Sequence, residues 1–376
     1  MKLAIFDLQH FEMIHVLLQV LSNKENSILL FTNSKIVQKI KNLEESFEFE
    51  LINLDDFKSF YEFYNKCADV IFTNKIDIVI FNTIDREYNL AWKLIKKIPS
   101  KVFITIHNVN TWLNPPLTFN YIALKNYYFR SRMLKKTTGI IVTEDLFIKY
   151  IEDNKLYNKK ILALPFTLNT KNYHHEPNKE LRVAIPGTID GNNRRNYEFA
   201  ISVIKKIHKI DNSIKFIFLG PVVAKEGQEV FSKISYLINE GLNIEHKFDI
   251  QSNRIYENEM IKCDVVFTPV VVNFKYEGIN EIYGKTKVSG VLYDMMRFQK
   301  IGIIPVEHVV PPTMITSIIT YHGEVDLIEK LIELNKNRDK LKNYLKCAQV
   351  NSIYYSKAKV KERFLPKLLE ACNLSH

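Results

Sequence analysis

Short apolar runs alternate with stretches of helical periodicity along this chain. An apolar run over residues 2–6 ends at Asp7, and Met13, Val16, Leu17, Val20 and Leu21 then recur at helical spacing. Further apolar runs fall at 27–31, 49–51, 76–81, 102–106, 139–142 and 161–164, with a helix starting at Ser34. Residues 169–180 (NTKNYHHEPNKE) are polar, lack apolar periodicity and read as a linker. The alternation then restarts, with strands expected at 181–185, 215–219, 243–248, 264–268 and 301–304. Helices are expected between them at 196–208, 230–239 and 255–262, with a helical tail from about 324 to 374. Strands alternating with helices predict an α/β protein with parallel, doubly wound sheets. The expected domains are 1–168 and 181–345, with a tail at 346–376 free to pack back on the first half. Ligand belongs in the cleft between the halves, at the C-terminal ends of the strands.

The segment YGKTKVSGVLYDMMRFQKIGIIP, residues 283–305, carries the clearest chemistry. A basic loop (Gly284, Lys285, Thr286, Lys287) and Ser289-Gly290 feed a helix that bears Asp294, and a buried strand follows. Unpaired N–H groups and the dipole make a helix N-terminus an anion site, to which the lysines add charge. A carboxylate one turn further in suits a sugar hydroxyl, so the segment points to a nucleotide-sugar diphosphate. The alternation in KTK turns one lysine to the ligand and one to solvent, with Lys287 preferred for the ligand.

Composition narrows the picture only slightly. With 376 residues, 46% hydrophobic and 25% charged, the chain is a well-packed globular protein. A net charge of +10 fits nucleic acid, an anionic membrane or a phosphorylated substrate. No DNA-binding motif accompanies the charge, so nucleic acid is not expected. Cys67, Cys263, Cys347 and Cys372 are widely spaced, as for thiols in a reducing compartment. The N-terminus does not read as a signal peptide and no apolar run spans a bilayer, so a cytoplasmic protein is expected. His174 and His175 have no partners at metal spacing.

Four stretches, taken in order, resemble GT-B glycosyltransferases, specifically family 4 and the related group 1. IPGTIDGNNRRNY (185–197) resembles the first strand and loop of the nucleotide-binding half, and KFIFLGP (215–221) its second strand. IYENEMIKCDVVFTP (255–269) is similar to a helix followed by a buried strand, and MMRFQKIGIIP to the helix and strand after the donor loop. The resemblance implies two Rossmann-like domains and transfer of a sugar from a nucleotide-diphosphate donor to a glycan, lipid-linked or protein acceptor, with retention. It places Asp294 where the family has a ribose-binding glutamate. Eight residues upstream, where the family has a second glutamate, stands Thr286, with Glu277 and Glu281 out of register.

In this reading the donor site comprises Gly187, Thr188, Arg194, Arg195, Lys285, Lys287, Ser289, Gly290 and Asp294. Arg195 and Lys287 stabilise the departing diphosphate, and Gly187 makes the tight turn that lets ligand approach. The resemblance sets His107 facing the donor sugar, to hydrogen-bond it or handle a proton. Asp7, His10, Glu12 and Asn108 fall on the acceptor side. Blander roles stand beside these: a solvated basic turn for the arginines and lysines, an N-cap for Ser289 or Asp7, an exposed helical Asp294, a structural His107. No cofactor or metal is expected where cations carry the phosphate charge. Two other functions suit the same fold, a catalytically silent sugar- or nucleotide-binding partner subunit and a sugar-nucleotide epimerase. Residues 118–138 are basic, interleaved with aromatics and free of acids. They suit the surface of an anionic bilayer, through Arg130 and Arg132 among others, and equally a core-facing helix with a solvated basic side.

Overall fold

The computed structural model describes residues 1–43, 45–173, 175–191, 194–247 and 254–374. Of the residues discussed above, His174, Asn192, Asn193 and Phe248 lie outside them. The N-terminal sheet contains β1 (Lys2–Phe6), β2 (Ser27–Thr32), β3 (Glu50–Asn53), β4 (Ile78–Phe81), β5 (Lys101–Ile106), β6 (Gly139–Val142) and β7 (Lys160–Ala163). Their order is β3-β2-β1-β4-β5-β6-β7, with every pairing parallel. Segments such as IVIF and GIIV are buried along their whole length, as strands covered on both faces must be.

The second sheet is built from β8 (Arg182–Pro186), β9 (Lys215–Leu219), β10 (Ile244–Lys247) and β11 (Val265–Phe267). After them, β12 (Asn273–Tyr276) and β13 (Ile279–Ile282) form a separate antiparallel hairpin. β14 (Ile301–Pro305) and β15 (Ile318–Tyr321) complete the sheet in the order β10-β9-β8-β11-β14-β15. Both sheets are doubly wound. Their strand order reverses beside β1 and beside β8, and in such sheets ligand binds at the carboxyl ends next to that switch point. The hairpin and β15 go beyond the elements expected from sequence. β4 begins at Ile78 and β7 spans Lys160–Ala163, shifts of one or two residues from the expected strands.

The tail does not begin where the sequence suggested. The helix Arg338–Ser352 is continuous through residue 346, and its Leu341 and Leu345 belong to the core of the second domain. The chain crosses back beyond it, where Asn169 donates its backbone N–H to the Tyr355 carbonyl at 2.9 Å and its Nδ2 to Ser352 Oγ at 3.0 Å. The helix Lys357–Cys372 then buries Val360, Phe364, Leu368 and Cys372 against Leu3, Ile5 and Leu17 of the first domain. Each domain is thereby tied to the other at both crossings. Removing the Phe364 ring leaves a cavity as well as losing its transfer energy, so Phe364→Ala should destabilise the fold by about 3–5 kcal/mol. Urea denaturation followed by fluorescence checks this; an unchanged midpoint would mean that the helix is dispensable.

Candidate active site

The helix Gly290–Arg297 forms because Val291, Leu292, Tyr293, Met295 and Met296 bury its apolar face, while Ser289 sits extended at its N-cap. Ser289 makes no side-chain cap bond, although it is buried. The first turn therefore opens toward a cavity of about 380 Å³ lined by residues of both domains. From the second domain the lining includes Gly187, Thr188, Arg194, Arg195, Tyr283, Lys287, Ser289, Gly290 and Asp294. Arg195 donates Nη1 to the Thr188 carbonyl at 2.9 Å. Its guanidinium lies directly over Gly187, where an added Cβ would fall 2.1 Å from Nη2; with a φ of +108°, only glycine suits the position. Gly187 thus makes room for Arg195, beyond the turn role expected of it. Arg194 lines the same cavity but is paired with Asp190 at 2.9 Å.

Lys287 hydrogen-bonds Asn108 Oδ1 of the first domain and lies 5.2 Å from the Tyr276 ring centroid. Burial lowers its pKa to about 8, against the pull of Glu281. Asp294 is partly buried, and burial raises its carboxyl to about 6 while a hydrogen bond from Tyr256 and the charges of Arg297 and Arg195 hold it down. It is ionised at neutral pH and accepts hydrogen bonds only, which suits paired sugar hydroxyls.

The first domain supplies His10, His107 and Phe166. His107, at the tip of β5, donates Nε2–H to the Asn82 carbonyl at 2.9 Å, which leaves Nδ1 as the ring's acceptor. Burial above all, with His10 beside it, lowers its pKa to about 3. The lowered pKa favours the neutral imidazole, which suits hydrogen bonding, the first of the two roles expected of His107. Thr83 Oγ1 donates to Asp7 and so accepts from His10 Nδ1 at 2.6 Å. Phe166 packs edge-on to both imidazoles and stacks on Tyr293 at 5.6 Å.

Other expected site residues serve elsewhere. Asp7 is fully buried beneath the cavity, where it accepts from the backbone N–H groups of Gln9 and His10 and from Asn82 and Thr83. It orders the loop after β1, with its carboxyl raised by burial, and does not line the cavity. Glu12 is exposed on the first helix and does not line the cavity. Lys285 is exposed on a tight turn, its N–H bonded to the Ile282 carbonyl at 3.1 Å, so its side chain stands in solvent. Asn108 lies behind the lining as the partner of Lys287. Thr286 is wholly buried; its hydroxyl accepts from Ile282 N–H at 2.8 Å and its carbonyl from Val109 N–H of the first domain at 2.8 Å.

The two out-of-register acids clasp the domains together. Glu281 Oε1 accepts from Thr111 N–H at 2.8 Å and Thr111 Oγ1 at 2.7 Å. Glu277, at the hairpin turn, pairs with Arg130 at 2.9 Å. Arg130 is only 2% exposed, bonded to Tyr88 Oη at 2.6 Å and the Thr111 carbonyl at 3.1 Å, with the Tyr88 ring centroid 4.7 Å away. Arg130 is thus an interdomain anchor. Its expected place on a membrane-facing surface is corrected, because the guanidinium is enclosed. Among the described residues no group of three or more His, Cys, Asp or Glu could hold a metal ion. His175, one of the linker pair, donates Nε2–H to the Phe298 carbonyl at 2.9 Å.

This architecture has solved counterparts. A glycosyltransferase from Rickettsia africae superposes with a TM-score of 0.68 at 13% identity, covering 100% of this chain and 99% of its own. Anabaena HepE, in complex with UDP and glucose, gives 0.67 at 12% identity, over 99% of this chain and 100% of HepE. The fold is GT-B. A Listeria monocytogenes protein assigned as a UDP-N-acetylglucosamine 2-epimerase shares it, with a TM-score of 0.61 at 11% identity over 98% of this chain and 95% of its own. No protein-family model matches this sequence, and the comparison with curated proteins finds no match.

Phe166 and Tyr283 line the cavity without any local motif that signals it, and His10, expected on the acceptor side, lines it with them. Phe166 follows Leu164-Pro165 at the end of the first half, the one sequence cue to its place at the cleft. Because Thr286 is wholly buried, restoring the carboxylate expected from resemblance does harm. Thr286→Glu puts an unpaired charge in the interior and should cost about 3–5 kcal/mol with no gain in activity. Thermal unfolding and turnover of the variant check this, and a stable, more active variant would contradict the assignment.

Proposed function

We propose that this GT-B protein is a glycosyltransferase that takes a sugar from a nucleoside diphosphate donor held by the second domain. One arrangement carries the reading. Lys287, Arg195 and the open first turn of Gly290–Arg297 surround a cavity that Asp294 enters from one side and neutral His107 from the other. The diphosphate fits the cationic end, where helix N–H groups and fixed charges act together. Asp294 accepts from the ribose hydroxyls, and His107 hydrogen-bonds the sugar. HepE holds UDP and glucose, so a uridine nucleotide is the first donor to test.

In transfer, the bond from the anomeric carbon of the sugar to the β-phosphate oxygen breaks, a bond from that carbon to the acceptor hydroxyl oxygen forms, and negative charge collects on the departing diphosphate. Lys287 and Arg195 meet that charge without reorganising, the condition under which electrostatic stabilisation is strongest. Because these side chains carry the phosphate charge, we propose turnover without a metal. Among the described residues Asp294 is the only carboxylate lining the cavity, and in this reading it serves the ribose. With Asp7 consumed by its own hydrogen bonds and Glu12 outside, the acceptor proton passes to the departing phosphate, which favours retention. The acceptor, a glycan, a lipid-linked glycan or a protein, approaches from the first domain.

UDP should raise the thermal midpoint, and Arg195→Ala should weaken UDP binding by about 10- to 100-fold, the worth of one charge-assisted contact. Calorimetry measures this, and no binding of any nucleoside diphosphate would sink the assignment. Product analysis with UDP-sugars separates the rival functions. Release of UDP in the presence of acceptor marks a transferase and a changed sugar configuration an epimerase. Tight binding with no turnover marks a silent partner subunit.

A further inference from the structure

The helix Tyr121–Lys136 is attached to the fold by only part of its surface: Arg130 and Met133 are its buried residues. Ahead of them the chain presents Leu117, 101% exposed, Phe119, 106% exposed, and Ile122, 69% exposed, with Tyr121 and Tyr128 also in solvent. Bulky apolar side chains so fully in water, in the irregular segment before the helix and in its first turn, are not needed to close the core. The projection is held rather than loose. Asn120 caps the helix by accepting from the N–H groups of Ile122 and Ala123, and Arg130 fixes the far end against Tyr88, Trp112 and Glu277.

The charge carried by this segment itself has one sign, with Glu277 of the hairpin meeting it only at the buried Arg130. Lys125, Arg132, Lys135 and Lys136 are exposed, and residues 114–138 contain no Asp or Glu. Lys135 and Lys155 also line an adjoining groove of about 630 Å³ beside Tyr127 and Tyr157. A protein partner that covers an apolar tip need not be acidic. An anionic bilayer offers both an apolar interior for Leu117, Phe119 and Ile122 and phosphates for the surrounding cations. We propose that residues 117–136 dock this protein on anionic membranes, with Leu117, Phe119 and Ile122 inserted below the headgroups and Lys125, Arg132, Lys135 and Lys136 among them. The segment follows directly on the helix Val109–Leu113 that closes the cleft, so docking sets the acceptor side of the site next to the bilayer.

The test is co-sedimentation of the full chain with phosphatidylcholine vesicles, with and without phosphatidylglycerol. The wild type should bind the anionic vesicles and not the neutral ones, and lose binding as salt is raised. Leu117→Ser/Phe119→Ser should lower the partition coefficient at least about tenfold, since each loses several buried methylene equivalents. Replacing Lys125, Arg132, Lys135 and Lys136 by Gln should abolish both the anionic preference and the salt dependence. Phe119→Trp should show a blue-shifted emission on vesicles. Each variant's thermal midpoint and UDP affinity are measured in parallel, and both should match wild type. Failure of the wild type to bind anionic vesicles, or equal binding by the serine variant, overturns the proposal. So does a concentration-dependent dimer in light scattering that the serine variant abolishes, which would make the tip a protein interface.

Discussion

The site depends on a buried cation shared between two domains. Lys287 belongs to the second domain by sequence, yet its Nζ is hydrogen-bonded to Asn108 of the first. An ammonium removed from water must be compensated, and a single side-chain amide compensates it incompletely, which is why burial lowers its pKa to about 8. In the proposed donor complex the diphosphate supplies the missing counter-charge.

That cation stays in place because the domains are clasped around it. The hairpin β12–β13 reaches out of the second domain, and Glu281 and Glu277 spend their charge on Thr111 and Arg130 rather than on donor. Tyr293 adds a hydrogen bond from its hydroxyl to the Thr143 carbonyl at 2.9 Å, seating the helix Gly290–Arg297 on the end of β6. At the far side of the molecule the helix Lys357–Cys372 returns to the first domain. Acids that resemblance would look for at the donor are therefore present, and their work is mechanical.

Much of the fold was legible in the sequence because strands buried on both faces are written as plain apolar runs. Segments such as KLAIF and KVFITI need no tertiary context to be read. The hairpin NFKYEGINEI was not legible, since its alternation is short and its inward Glu281 looks polar until Thr111 meets it. Site residues divided in the same way. Lys287, Asp294 and the Gly187 loop lie in local patterns that a helix N-terminus or a tight turn explains. Asp7, Glu12 and Lys285 were placed by proximity along the chain, which does not specify which way a side chain points. Phe166 and Tyr283 join His10 at the cavity only through the apposition of two sheets, and no spacing in one sequence encodes that.

The central claim is that Lys287 meets the donor's diphosphate as a cation whose burial has brought its titration into the working range. Calorimetric UDP affinity measured from about pH 7 to pH 9.5, for wild type and Lys287→Met, tests it most directly. The protonated lysine binds the anion, so wild-type affinity should fall as pH rises through about 8, by at most tenfold per pH unit. Lys287→Met should bind about 10- to 100-fold more weakly at pH 7 and lack that fall. Equal affinities and parallel pH profiles for the two proteins would contradict the account.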